Sequence, residues 1–404
     1  MARPDNGEGR RGNLTAGFAR LRQDGLGMNF WRWARRVSML LRGDARAARS
    51  RRRGSRARFT AVAAQVEQLE ARQLLTVTYH GGALLPNVES QAVYVGSNWQ
   101  SDATLQGQKG QLETYISGLV QSKFMDGLTL AGYNVYRGTS SSGAIDAVAF
   151  GKNGITDSQI QGDIQSLISG GRVQAPDANR LYIVYVQPGV VIHTSFGASN
   201  TSFLGYHGAF AGHTAKGGAI DVHYAVIDYP GKPNFTSKSQ GFASDLNELT
   251  SVTAHELAES ATDPNIGLRT LAWYDDRKNG EIGDLTRLNT MLNGFLVQEV
   301  VNTQDVPINP NSITQTVSPP PGVTLGALSN TSAKLTWGTM ALAQGYRIYA
   351  VSGQQRTLVT TLPNSVLSFT LTNLKPGSSV SYVVEAFDGP TTADALVVSV
   401  ALPL

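Results

Sequence analysis

The sequence predicts an α/β domain over residues 77–303, a Pro/Ser/Thr linker over 304–322 and an all-β sandwich over 323–404, preceded by a basic, largely disordered segment over 1–76. Three observations carry this reading. Residues 1–72 hold 17 arginines, no lysine and 6 acidic residues, a net of +11, whereas the rest of the chain has 17 basic and 24 acidic residues, a net of −7. Between them, apolar residues recur alternately as continuous runs and at helical spacing, the pattern of an α/β domain. Past residue 322 the apolar period falls to two, as in half-buried strands.

The basic segment cannot bury a core, and RSRRRGSRAR (49–58) repels itself. Within it, MNFWRWARRVSMLLR (28–42) mixes Trp31, Trp33 and Leu40 with arginines, which suits transient contact with an anionic membrane. The positive charge of a secretory signal is present without its clean apolar stretch.

In the central region QAVYVGSNW (91–99) reads as a strand, and GQLETYISGLVQSKF (110–124) sets Leu112, Tyr115, Ile116, Leu119 and Val120 on one helical face. Ile160, Ile164, Leu167 and Ile168 mark a second helix, started by Asp157 and stopped by Gly170 and Gly171. RLYIVYVQPGVVI (180–192) is apolar enough for the middle of a sheet, and YAVIDYP (224–230) is a further strand ended by proline. Another helix follows, capped by Ser244 or Asp245, with Glu248 as the capping-box partner of Asp245, and ended by Pro264. In the last region Ala333, Leu335 and Trp337, then Tyr346 and Ile348, then Val380, Tyr382, Val384 and Ala386 alternate as sandwich strands do.

Composition narrows the function classes. The chain has no cysteine, which removes disulfides, thiolate ligands and thiol nucleophiles. No apolar run approaches the length of a spanning helix. The acidic balance of the folded body argues against nucleic acid as its partner, since phosphate recognition needs clustered Lys and Arg. A nucleic-acid role for the basic segment would require that it persist in the mature protein.

The chemistry concentrates in VTAHELAESATDP (252–264). Residues four apart on a helix lie one above the other, so His255 and Glu259 present an imidazole and a carboxylate to one point. Zinc accepts both donors at roughly 2.0–2.2 Å, and Glu256 is placed to act as general base. A third ligand must come from elsewhere. WYDDRKNGEIGDLTR (273–287) offers Asp275, Asp276, Glu281 and Asp284; Glu281 is the first choice and Asp284 the second, with Asp263 a nearer candidate. A carboxylate in place of a second imidazole offsets more of the cation's charge, so Ca²⁺ or Mn²⁺ compete with Zn²⁺. The alternative is a metal-free hydrogen bond between His255 and Glu259. His207 and His213, in the glycine-rich GYHGAFAGH (205–213), and His80 are open to two readings, a solvated loop histidine or, for His207, contact with substrate or metal.

Several of these stretches resemble known families. The order strand, helix, strand, helix, strand, strand, signature helix resembles the catalytic half of a zincin, a zincin-like α+β fold in which an edge strand borders the cleft. Val66, Glu67, Leu69, Glu70, Arg72, Leu74 and Leu75 resemble the V-E-x-L-E-x-R-x-L-L signature of planctomycete surface and secreted proteins, which implies export. Trp337, YRIY (346–349) and LKPG (374–377) resemble a fibronectin type III module, with Val380 where that module has a corner tyrosine. Finally, YHGGALL (79–85) with VYVGSNW, AHELAESATDP and AWYDDRKNGEIGDL (272–285) resemble three blocks of the phosphate-induced (EXORDIUM) family. That resemblance implies a secreted or cell-surface protein with a shared polar site at His255, Glu256, Glu259, Trp273, Glu281 and Asp284, and makes Glu259 the family's own residue. Two functions follow as expectations. One is a metallopeptidase-like hydrolase acting on peptides or cell-wall polymers; the other is a non-catalytic surface-binding or adhesion protein that keeps the site for structure.

Overall fold

The computed structural model describes residues 76–232 and 235–404. The expectations for the basic segment, including its membrane contact and export signature, fall outside these residues.

Five strands form the central sheet: β1 (Asn87–Val95), β2 (Tyr136–Asp146), β3 (Arg180–Val186), β4 (Gly205–His213) and β5 (Ala219–Ile227). Their spatial order is β2-β1-β3-β5-β4. β1 pairs in parallel with β2 and β3, and β3 with β5, while β4 returns antiparallel along the edge. Every residue of β3 is buried, as its unbroken apolar run requires of a strand covered on both faces.

The strand period of two divides the core. Ile183, Tyr185, Ala225 and Ile227 face one layer, together with helices α1 (Ala103–Val120), α2 (Lys123–Leu130) and α4 (Asp245–Thr262). Tyr182, Val184, Val186, Tyr224 and Val226 face the other, against Ile160, Ile164, Leu167 and Ile168 of α3 (Asp157–Ser169). Helices α1 and α2 cross over between β1 and β2 and α3 leads from β2 into β3, whereas β3 reaches its parallel partner β5 through short strands and the edge strand β4.

Several boundaries differ from the sequence reading. The strand expected at 91–99 runs Asn87–Val95, because Ser97 begins a short helical turn that buries Trp99. The helix expected over 110–124 is two: Asp102 caps α1, and Ser122 caps α2. The glycine-rich stretch 205–213 is no loop but strand β4. On α4 the cap is Ser244, whose hydroxyl accepts from Asn247 N at 3.2 Å. Glu248 does not serve Asp245, whose Oδ1 instead accepts from Ser237 Oγ at 2.6 Å; Glu248 is buried.

After α4 the chain doubles back. Trp273–Tyr274 pairs antiparallel with Thr78–Tyr79, a turn follows, and the hairpin Asn289–Leu292/Phe295–Gln298 packs on α4. The stretch expected as a linker includes Pro307–Ile308, which pairs with Val300–Val301, and Ile313 O, which accepts from Lys123 Nζ at 2.7 Å.

The C-terminal region is a β-sandwich. Thr324–Ala327, Ala333–Thr336 and Ser368–Leu371 make one sheet; the other contains Gly345–Ser352, Gln355–Pro363, Ser379–Asp388, Thr391–Asp394 and Val398–Ala401. Leu335, Trp337, Tyr346, Ile348, Tyr382 and Val384 fill its core. The sandwich is joined to the central domain by a buried guanidinium. Arg137 of β2 donates Nε and Nη2 to Asp126 at 2.8 and 2.6 Å, and Nη1 and Nη2 to Asp388 of the sandwich at 2.5 and 3.1 Å. Asn364 Nδ2 donates to Arg137 O at 2.6 Å. No helix among the described residues is long and apolar enough to cross a membrane.

Candidate metal centre

Helix α4 supplies the floor of the site. All residues from Glu248 to Thr262 are buried, an unusual state for a helix carrying His255, Glu256 and Glu259. Its backbone is satisfied internally, and Tyr115 and Tyr185 hold it laterally through Thr250 O and Thr253 Oγ1 at 2.6 and 2.7 Å. Pro264 bars continuation, so Asp263 sits at the C-cap, its amide donating to Glu259 O at 2.7 Å.

The helical repeat brings His255 Nε2 to 3.2 Å from Glu259 Oε2. Glu259 Oε1 accepts from the amides of Gly283 and Asp284, each at 3.2 Å. The returning loop thus clamps the glutamate and carries Asp284 Oδ1 to 3.9 Å from His255 Nε2. Gln298 Nε2 holds that loop by donating to Gly283 O at 2.8 Å, and Asp284 Oδ2 accepts from Glu281 N at 3.3 Å. Glycine at 283 is required by the packing: a Cβ there would lie 2.7 Å from His255 Nδ1 and 2.9 Å from Glu259 Oε1.

The edge strand closes the opposite wall. His207 Nδ1 lies 3.4 Å from Glu256 Oε2 and 3.6 Å from Glu259 Oε2, and its Nε2 lies 3.4 Å from Glu281 Oε1 and 3.2 Å from Asp263 O. His207 is therefore a buried strand residue, not a solvated loop histidine. Gly205 lets β4 approach, because a Cβ there would lie 2.9 Å from Glu256 Oε1.

The ligand-type atoms fall into two sets, each within 4.8 Å: His255, Glu259 and Asp284, and His207, Glu256 and Glu259. Glu281, the first choice for third ligand, faces His207, while Asp284 completes the set around His255. Asp263 is spent partly on the loop, its Oδ1 accepting from Ala272 N at 3.0 Å. Trp273 stands aside from the ligand atoms. Its Nε1 donates to Tyr133 O at 3.2 Å and its ring packs on Tyr133 and Tyr79, so it props the returning loop. Asp275 caps a turn through the amides of Arg277 and Lys278 at 2.8 and 3.0 Å, His80 and Asp276 pair at 3.7 Å near the surface, and His213 is exposed at the end of β4.

Burial opposes charge throughout. For His255 the carboxylates of Glu259, Glu256 and Asp284 overcome burial and raise the pKa to about 10. For His207 Glu281, Glu256 and Glu259 do the same, well above the ordinary value. Burial, reinforced by Glu259, lifts Asp284 to about 8; burial likewise lifts Asp263 to about 6 and raises Glu256 and Glu281. Glu259 moves down, because His255 and then His207 outweigh its burial.

The residues fit a divalent cation. Imidazole and carboxylate are its ordinary donors, and Glu256 Oε1 and Asp263 Oδ2 are buried without a hydrogen-bond partner. An orphaned buried carboxylate oxygen costs several kcal/mol in the absence of a counter-charge, on the order of about 1–3 or more.

No protein-family model matches the chain, and no curated protein does. Solved structures similar to it over about a fifth of its length include three β-sandwich domains. A structure named FN3tt is 21% identical over 22% of this chain and 98% of its own, with a TM-score of 0.21. The FN5 domain of Drosophila Lar is 22% identical over 22% of this chain and 99% of its own, at a TM-score of 0.20. The third fibronectin III domain of the human KIAA0343 protein is 21% identical over 22% and 82%, at 0.19.

Proposed function

We propose that the central domain is a zincin-like, metal-dependent hydrolase exported from the cell, acting on peptides or cell-surface polymers. The observation that carries the reading is the set His255, Glu259 and Asp284, drawn from one helix and the loop that returns over it, beside the unpartnered Glu256 Oε1. When bound, a Zn²⁺, Mn²⁺ or Ca²⁺ ion supplies Lewis acidity and makes water a stronger acid. His255, Glu259 and Asp284 hold it, and the two amides on Glu259 Oε1 fix the orientation of that ligand. Glu256 accepts the proton of the attacking water and returns it to the leaving group.

Two further observations support the reading. The order β1, α1, α2, β2, α3, β3, β4, β5, α4 resembles the strand and helix sequence of a zincin half, with β4 at the sheet edge beside Glu256. The three blocks that resemble the phosphate-induced family also meet in space: His80 N donates to Ala272 O at 2.7 Å and Leu85 N to Ala261 O at 3.0 Å.

Burial favours a second reading. His255 and Glu256 are 0% exposed and Glu259 1%, so a cation there also suits a structural lock in a non-catalytic surface protein. Elemental analysis of the purified chain combined with Glu256→Gln separates the two. In a hydrolase the variant keeps the ion at His255, Glu259 and Asp284 and loses hydrolysis of a casein or wall-polymer substrate by about 10²-fold or more. In a lock, chelation lowers the melting temperature while neither protein hydrolyses anything. Absence of stoichiometric metal sinks both.

A further inference from the structure

We infer that the centre holds two cations, not one, with Glu259 common to both. The inference rests on the metal-centre reading above and deepens it. One cation belongs to His255, Glu259 and Asp284; the second belongs to His207, Glu256 and Glu259, with Glu281 Oε1 against the other ring nitrogen of His207.

The two imidazoles cannot serve one ion as they stand. Among the described residues, neither set of ligand atoms lying within 4.8 Å of one another includes both His207 and His255. Two nitrogens bound to one zinc at about 2.0–2.1 Å would lie no more than about 4.2 Å apart. Glu259 Oε2 nonetheless faces both rings, at 3.2 Å from His255 Nε2 and 3.6 Å from His207 Nδ1. Such a carboxylate, steadied at its other oxygen by two backbone amides, is built to be shared.

Charge points the same way. Glu256, Glu259, Asp263, Glu281 and Asp284 are all buried around two histidines and have no arginine or lysine among their described ion pairs. With the ligands deprotonated, one divalent ion leaves most of that negative charge uncompensated in a largely buried site, which is costly; two nearly balance it. The second observation is fully buried Glu256, whose Oε2 lies 3.4 Å from His207 Nδ1 while its Oε1, facing Gly205 of the edge strand, has no hydrogen-bond partner. Glu256 enters the second set through one oxygen and keeps the other for proton transfer. A second cation held there would supply further Lewis acidity beside Glu256.

The test uses the full chain, stripped with chelator, reloaded with Zn²⁺ or Mn²⁺, freed of excess metal and analysed for metal per chain. The expected result is about two ions in the wild type, about one in His207→Asn and in His255→Asn, and almost none in Glu259→Gln. The Mn²⁺ form should give the exchange-coupled electron paramagnetic resonance spectrum of a pair, a readout that needs no variant. One ion per chain, with an isolated-ion spectrum and no loss in His207→Asn, overturns the second site and leaves the single-metal reading standing. No ion in the wild type overturns both.

Discussion

Glu259 Oε1 accepts hydrogen bonds from the amides of Gly283 and Asp284 while its Oε2 lies 3.2 Å from His255 Nε2, so one carboxylate joins the signature helix to the returning loop. The join tolerates nothing larger than hydrogen at residue 283. Gly283→Ala would force backbone and ligand apart, since its Cβ would meet His255 Nδ1 at 2.7 Å. Metal affinity is expected to fall about 10-fold or more, as when an outer-shell partner is lost. Isothermal titration of Zn²⁺ into the stripped protein measures it, and unchanged affinity would refute the clamp.

Gly107 and Gly110 lie on exposed positions of α1, where an added Cβ meets nothing within 4 Å. Replacing each by alanine should stabilise the protein by about 0.5–1 kcal/mol, because glycine loses more backbone freedom in a helix. Denaturant melts of the two variants read the change, and destabilisation would mean α1 is not the exposed helix described.

The stability of the metal-free protein should fall as pH rises from about 5 to 9. The sign is the same for nearly every shifted group. His255, raised to about 10 against burial by Glu259 and its neighbours, contributes fully below the ordinary histidine value and loses that contribution as pH climbs through 10. Asp284 and Glu248, each raised by burial to about 8, and Asp228, raised by burial to about 7, favour the folded state only while protonated. Glu259 and Asp221, both lowered, act oppositely only in acid, and His223, lowered by burial, opposes the trend below the ordinary histidine value. Saturating metal should flatten or invert the slope, since cation binding needs the ligands deprotonated. Thermal melts across pH, with and without Zn²⁺, test both halves.

Arg137→Ala removes the guanidinium that Asp126 and Asp388 share. Asp126 is 2% exposed and would keep a buried, unpaired carboxylate, so the loss should reach about 3–5 kcal/mol. Asp388 is about a third exposed on its side chain, and Asp388→Asn should cost about 1 kcal/mol or less. Calorimetry should also resolve separate transitions for the domain and the sandwich in Arg137→Ala. A single unshifted transition would show that the latch does not couple them.

Legibility followed burial pattern. Strand β3 and the face of α3 were readable because unbroken or helically spaced apolar residues leave few alternatives. β2 escaped the sequence reading because YRGTSSSGAID is a polar edge strand, held partly by Ser90 and Gln91 of β1 through Thr139 O and Ser142 O at 3.3 and 2.8 Å. β4 was hidden by its glycines, of which Gly205 lets the strand approach α4. Within the site, His255, Glu256 and Glu259 followed from helical spacing alone. The exchange of Glu281 for Asp284 did not, because it depends on the amide clamp on Glu259, which spacing cannot reveal.

The opening residues of the central domain are fastened by its last ones: Thr76 N donates to Thr303 O at 2.8 Å, and Thr78–Tyr79 pairs with Trp273–Tyr274. Contacts of such long range make for slow folding. During synthesis Thr78–Tyr79 has no strand partner until roughly 195 further residues have been made, and the acids of the returning loop reach their helix only when the domain is nearly complete.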